Sequence, residues 1–229
     1  MIGLSRLLKL LKNQNQKELF IKQAKIMNKN FSLKKRKSII LGGNGLLGSE
    51  IASLYSDLGS DVLVLDIAEE SDFEKNQISL KNNISYAKFD TTKIKSFDDV
   101  ISSYGTPQIF VNAAYPRTES WGNNDFKNIT YESFSKNIEL QLTNLCWLTK
   151  KIADQMVVKN IKGKIILLNS IYGKVAQDNT IYAGSNIKES MTYAVVKGGI
   201  TNFTRQMASF YGGKNININS IVAGGVIGP

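Results

Sequence analysis

The sequence predicts an α/β domain, a doubly wound parallel sheet with helices on both faces. Three observations predict it. Six short β-branched or aliphatic runs alternate with segments of helical periodicity from residue 38 onward, and such alternation implies right-handed crossovers and a sheet covered on both sides. A glycine-rich turn joins the first run to the first helical segment. At 229 residues and 42% apolar content the chain suits one domain with a large core.

Residues 1–37 stand apart as a basic N-terminal extension, and residues 38–229 form the globular domain. In the extension Leu4, Leu7, Leu8 and Leu11 fall at helical spacing, with Arg6, Lys9 and Lys12 between them, and Lys34, Lys35, Arg36 and Lys37 follow as a second cluster. A basic amphipathic helix of this kind can lie peripherally on an anionic membrane, and its shortage of acids also fits a transit peptide. The plainer reading, adopted here, is a leader upstream of Met27. The domain then opens with strand Ser38–Leu41, rich in isoleucine and closed by Gly42 and Gly43. Helix Leu46–Leu58 leads to strand Asp61–Asp66, and strand Ile84–Phe89 to helix Phe97–Tyr104. Strand Ile109–Val111 precedes one long helical stretch, Tyr131–Lys159. Strand Lys164–Asn169, helix Ser190–Tyr211 and strand Asn217–Val222 complete the order.

Composition removes several function classes. The chain has no histidine, so His-based triads, His metal sites and His general bases are absent, and no metal is expected. Acid–base work falls to Tyr, Lys, Asp, Glu or the single Cys146. One cysteine excludes an internal disulfide and suits a reducing compartment, so a cytoplasmic location is expected. No apolar run approaches the ~18 residues that a membrane span requires. Residues 1–37 hold 11 Lys/Arg and only Glu18, whereas residues 38–229 hold 18 Lys/Arg and 18 Asp/Glu. The whole net charge of +10 lies in the extension, and the domain carries no charge argument for nucleic acid.

The glycine-rich turn reads Gly42, Gly43, Asn44, Gly45, Leu46, Leu47, Gly48. Gly43, Gly45 and Gly48 satisfy G-x-G-x-x-G after a strand and before a helix, the context in which a pyrophosphate meets free N–H groups and the positive end of a helix. Asp66 ends the second strand about 20 residues on, where a carboxylate accepts from adenosine ribose hydroxyls and repels a 2′-phosphate. NAD is therefore expected, and NADP disfavoured. Asp90, after the third strand, is placed beside the adenine.

Tyr193 and Lys197 lie four residues apart on one helical face. A phenol ordinarily keeps its proton to about pH 10, and a cation one turn away stabilises the phenolate. Ser170 follows the fifth strand at the carboxyl edge of the sheet, where open α/β sheets bind ligands. In this order, the Gly42–Gly48 loop, Val111-Asn112-Ala113-Ala114, Asn169-Ser170-Ile171-Tyr172-Gly173 and Tyr193…Lys197 resemble the short-chain dehydrogenase/reductase family over about residues 37–227.

The resemblance implies a Rossmann-type fold and an NAD(H)-dependent oxidoreductase that interconverts a hydroxyl and a ketone. It makes Tyr193 the proton donor and acceptor, Lys197 a ligand of the nicotinamide ribose that favours the Tyr193 phenolate, and Ser170 the group that orients the substrate oxygen. Asn112, Ala113, Ala114 and Gly224 border the cofactor. Asn112 through Arg117, Ser170–Gly173 and the long interval from Ser170 to Tyr193 resemble a branch of bacterial surface-glycan and flagellin-modification pathways, near acylneuraminate synthesis. A small sugar-like substrate or sugar nucleotide is then expected, and a homodimer or homotetramer. Tyr115, Trp121, Tyr172 and Tyr182 are candidates for stacking on a sugar, or for ordinary packing.

Four departures stand out. The family's Asn-Asn-Ala-Gly reads Asn112-Ala113-Ala114-Tyr115, and its Pro-Gly reads Ala223-Gly224. Gln141 occupies the place of a water-holding asparagine, with Asn137 and Asn144 near the same face. The resemblance also predicts a further helix and seventh strand beyond Pro229, so the sequence reads as truncated at its C-terminal end. A 3-oxoacyl or generic carbonyl reductase, or a truncated NAD-binding scaffold without activity, remain the alternative readings.

Overall fold

The computed structural model describes residues 31–184 and 188–226. The Leu4–Leu11 pattern and the stretch at Pro229 lie outside the described residues. Six parallel strands form one sheet: β1 Lys37–Leu41, β2 Asp61–Asp66, β3 Ile84–Lys88, β4 Ile109–Asn112, β5 Lys164–Ser170 and β6 Asn217–Ala223. Their order is β3-β2-β1-β4-β5-β6. The direction of winding therefore reverses between β1 and β4, and that reversal opens a crevice at the carboxyl edge. The fold is the doubly wound Rossmann-type sheet that the sequence predicts.

Alternate residues of the strands feed two hydrophobic layers. Ile39, Leu41, Leu63, Leu65, Phe110, Ile165 and Leu167 face one layer; Ile40, Val62, Val64, Ile109 and Val111 face the other. Helix α1 (Leu46–Asp57) and the short α2 (Glu70–Glu74) cover the second layer through Ala52 and Phe73. Helices α3 (Ser96–Tyr104), α5 (Asn144–Val158) and α6 (Met191–Gly212) cover the first through Phe97, Leu148, Ile152, Met156 and Ile200. Strands buried on both faces need apolar residues at every position, which is why these runs lack polar alternation.

Three local features differ from the sequence reading. The stretch Tyr131–Lys159 is not one α-helix: α4 (Tyr131–Ile138) passes into a π-turn at Glu139–Thr143 before α5 begins. No proline or glycine marks the break, so nothing in the helical periodicity reveals it. Residues 33–36, assigned by charge to the extension, hydrogen-bond with the α1–β2 connection through Leu33 N–H to Leu58 O (2.9 Å) and Asp61 N–H to Arg36 O (2.9 Å). Phe89 falls just past β3, buried against the first layer. Among the described residues no helix is long and apolar enough to cross a membrane.

Candidate active site

At the crevice a cavity of about 660 Å³ runs along the carboxyl edge of the strands. Its β1–β2 side is built by the glycine turn. Gly42 has φ +76°, and a Cβ there would stand 2.6 Å from the Ala114 backbone, so the loops after β1 and β4 press together at this point. A Cβ on Gly48 would stand 2.0 Å from the Gly42 carbonyl oxygen, which lets the first turn of α1 close onto the loop. Gly45 caps α1 in an extended conformation with no side-chain cap. The first helical bond at this end runs from Ser49 N–H to Gly45 O (2.9 Å), so the N–H groups of Leu46, Leu47 and Gly48 precede the ladder at the cavity wall. Unspent N–H groups at a helix N-terminus suit a phosphate, and the glycines leave the backbone bare for it to approach. Gly48→Ala is expected to lower stability by about 1–3 kcal/mol through overpacking. Thermal denaturation should show a fall of several degrees, and an unchanged midpoint would contradict the close approach.

Asp66 lines the same side. Its carboxylate accepts from Asn44 N–H (3.0 Å) and Ala68 N–H (3.3 Å), one oxygen each. Two hydrogen bonds fix its orientation and leave lone pairs free. The exposed Ile67 follows it at the cavity wall. Asn44 serves the loop from outside the cavity, its side chain accepting from Asn76 Nδ2 (3.0 Å). Asp90 does not line the cavity either, although its neighbours Phe89 and Thr91 do. Its carboxylate folds back onto Thr92, accepting from the N–H (2.9 Å) and the hydroxyl (2.8 Å), and the Thr92 backbone bond holds it below the usual carboxylate range.

The β5 side brings together Ser170, Tyr193 and Lys197. Ser170 closes β5, and its Oγ accepts from Tyr172 N–H (3.3 Å). Tyr193 lies in the first turn of α6, its backbone N–H capped by Ser190 Oγ (3.2 Å). Lys197 lies one turn on, only 8% exposed, with Nζ 5.4 Å from the Tyr193 ring centroid and donating to Leu168 O (3.2 Å). Burial lowers its pKa to about 8, so it is mostly charged at neutral pH. Asn169 ties the two elements by donating to Thr201 Oγ1 (2.8 Å), which in turn donates to Gly173 O and Lys197 O. Ala113, Ala114 and Gly224 complete the wall, while Gly43 and Asn112 sit behind it, Asn112 Oδ1 accepting from Ala114 N–H (3.2 Å).

Gln141 is buried inside the π-turn and does not line the cavity. Its amide nitrogen and oxygen have no hydrogen-bond partner among the described residues, nor has Asn144 Nδ2. Buried amides without partners ordinarily hold ordered water. Asn137, by contrast, is fully used by Thr118 and Ser133.

The sequence assigned no role to the wall residues Ile67, Thr91 and Val226, and it read Arg117 only as part of the segment Asn112 through Arg117. Its charge at the wall could have been noticed, as a cation two residues past the aromatic that replaces the family's glycine. Chemically the trough offers anion-binding N–H groups and a carboxylate on one side, and a phenol, a hydroxyl and an ammonium on the other. That is a dinucleotide's binding surface joined to an acid–base group.

Comparison with known proteins fits this arrangement. The short chain dehydrogenase family model matches residues 36–228. "Post-translational flagellin modification protein A" from Campylobacter coli is 27% identical over 187 residues, which cover 80% of this chain and 70% of that protein. A 3-oxoacyl-[acyl-carrier-protein] reductase from Chlamydia muridarum is 26% identical over 206 residues, 85% of this chain and 75% of its own. A crystal structure of a short chain dehydrogenase from Leptospira borgpetersenii with bound NAD+ superposes with a TM-score of 0.74 at 26% identity, covering 89% of this chain and 75% of that one.

Proposed function

The chain belongs to the short-chain dehydrogenase/reductase family, and from that premise we propose that it is an NAD(H)-dependent oxidoreductase acting on a hydroxyl or ketone of a sugar or sugar nucleotide. One observation carries the reading: the glycine turn, Asp66, Ser170, Tyr193 and Lys197 meet in a single trough. The residues fit the cofactor. Bare N–H groups of Leu46, Leu47 and Gly48 suit its phosphates, Asp66 keeps lone pairs for its adenosine ribose, and Lys197 retains donors for its second ribose.

When bound, nicotinamide supplies or takes the hydride. Tyr193 Oη, which makes no hydrogen bond among the described residues, holds the proton that passes to or from the substrate oxygen. Lys197 places its ammonium 5.4 Å from the centroid of that ring. Ser170 Oγ spends only a lone pair on Tyr172, so its own proton is free for the substrate oxygen. Support for a sugar comes from the flagellin-modification relative and from Tyr115, an aromatic wall residue backed edge-on by Trp121 at 5.6 Å.

The cofactor preference follows from charge. Asp66 is acidic, and the wall around it is made of Leu46, Leu47, Ile67, Phe89 and Thr91, without a cation. A several-fold preference for NAD(H) over NADP(H) is expected, and Asp66→Ala should narrow or reverse it. Titration of both cofactors against tryptophan fluorescence measures this. Equal or tighter NADP(H) binding by the parent would remove the role given to Asp66. Turnover of a panel of sugars and sugar nucleotides, followed by absorbance of the reduced nicotinamide, tests the substrate class.

A further inference from the structure

The two sides of the trough differ in charge. Asp66 is the only acid on its wall, and it stands at the end of β2 with both oxygens already accepting hydrogen bonds. The β4–β5 side carries two cations, Lys197 and Arg117, and no carboxylate. Lys197 is buried, and its ammonium donates to a backbone carbonyl. Arg117 makes no ion pair and no side-chain hydrogen bond among the described residues. Its guanidinium instead rests over the Tyr115 ring, 5.5 Å from the centroid. The same ring lies 5.6 Å from Lys197 Nζ and meets the Tyr193 ring edge-on at 6.0 Å. Tyr115 therefore links the unpaired guanidinium to the proton-handling phenol.

We propose that Arg117 binds an oxyanion of the substrate, a carboxylate or a phosphate, and thereby selects acidic substrates for this site. The proposal rests on reading the trough as the site of hydroxyl–ketone chemistry. A guanidinium is planar, permanently charged and pre-shaped for two parallel bonds to a carboxylate or phosphate. The cation–π contact with Tyr115 restrains it without neutralising it. A guanidinium on the wall of a partly enclosed cavity attracts an anion more strongly than it would in bulk water. A neutral sugar would leave that charge arrangement unanswered. The N–H groups suited to cofactor phosphates lie across the trough at α1, so Arg117 is left to the substrate.

The test uses the full chain saturated with NAD+ and three probes that differ only at the sixth carbon: D-glucose, D-glucuronate and D-glucose 6-phosphate. Calorimetric titration should give the charged sugars at least tenfold tighter binding than glucose, and the stronger of the two identifies the oxyanion. The advantage should shrink below threefold in Arg117→Ala, persist in part in Arg117→Lys, and weaken with added salt, while NAD+ affinity stays the same. Equal binding of the three sugars, no binding of any, or an unchanged preference in Arg117→Ala would overturn the proposal. A loss of NAD+ affinity in Arg117→Ala would also overturn it, by assigning the guanidinium to the cofactor. If the parent fails to bind NAD+ at all, the underlying reading falls with it.

Discussion

Tyr193→Phe is expected to bind NAD(H) as the parent does and to lose turnover by about 10²–10⁴, the usual range for a positioned general acid or base. The phenylalanine keeps the ring, and with it the edge-on contact to Tyr115 and the packing of the first turn of α6. Only the hydroxyl goes. Cofactor affinity and melting temperature should therefore be unchanged while the rate collapses, and steady-state turnover beside fluorescence titration separates the two. A variant that keeps most of the parent's activity would end the assignment of Tyr193. A parent that binds NAD+ but turns over no sugar or sugar nucleotide would instead favour a cofactor-binding scaffold.

Replacing Lys197 should instead raise the stability of the cofactor-free protein. Burial brings its pKa down from 10.5 to about 8, which corresponds to roughly 3 kcal/mol as an upper bound. The sign follows from proton linkage: between pH 8 and 10.5 the unfolded chain binds the proton and the folded chain does not, so stability rises with pH there. Below pH 8 both states are charged, and the full desolvation cost weighs against folding. Lys197→Met removes that cost at the loss of one hydrogen bond to Leu168 O, worth about 1 kcal/mol. The cofactor-free variant should thus melt several degrees above the parent at pH 7, and the gap should close by pH 10. Turnover should nevertheless vanish and NAD(H) affinity fall. A variant less stable than the parent at pH 7 would mean that the Leu168 contact outweighs the buried charge.

Sequence pattern located all six strands: β1, β2, β4 and β5 as largely apolar runs of buried strands, and β3 and β6 as β-branched runs in which polar residues alternate. It placed the wall residues Gly42, Gly45, Gly48, Asp66 and Ser170 from strand and helix boundaries, and Tyr193 and Lys197 from their spacing on one helical face. What it could not show depends on side-chain direction. Asp90 and Asp66 both end or follow a strand, yet Thr92 captures one carboxylate while the other faces the cavity. The π-turn around Gln141 left no trace in periodicity, since one extra residue in a turn changes little in an apolar pattern. Arg117 lies in a loop, where periodicity says nothing, and its place beside Tyr115 is a tertiary fact.

The central position of β1 has a consequence for how the chain is made. Strand β1 is paired on one side by β2, which follows closely, and on the other by β4, whose partner contacts join Ser38 to Ile109 and Leu41 to Asn112. During synthesis at about 5–20 residues per second, the β4 edge of β1 waits roughly 4–14 s for its partner to emerge. Throughout that interval a strand of isoleucine and leucine presents an unpaired backbone edge to other nascent chains. Ribosome-bound intermediates ending before residue 109 should therefore be the aggregation-prone stage of biogenesis, where chaperones are most needed.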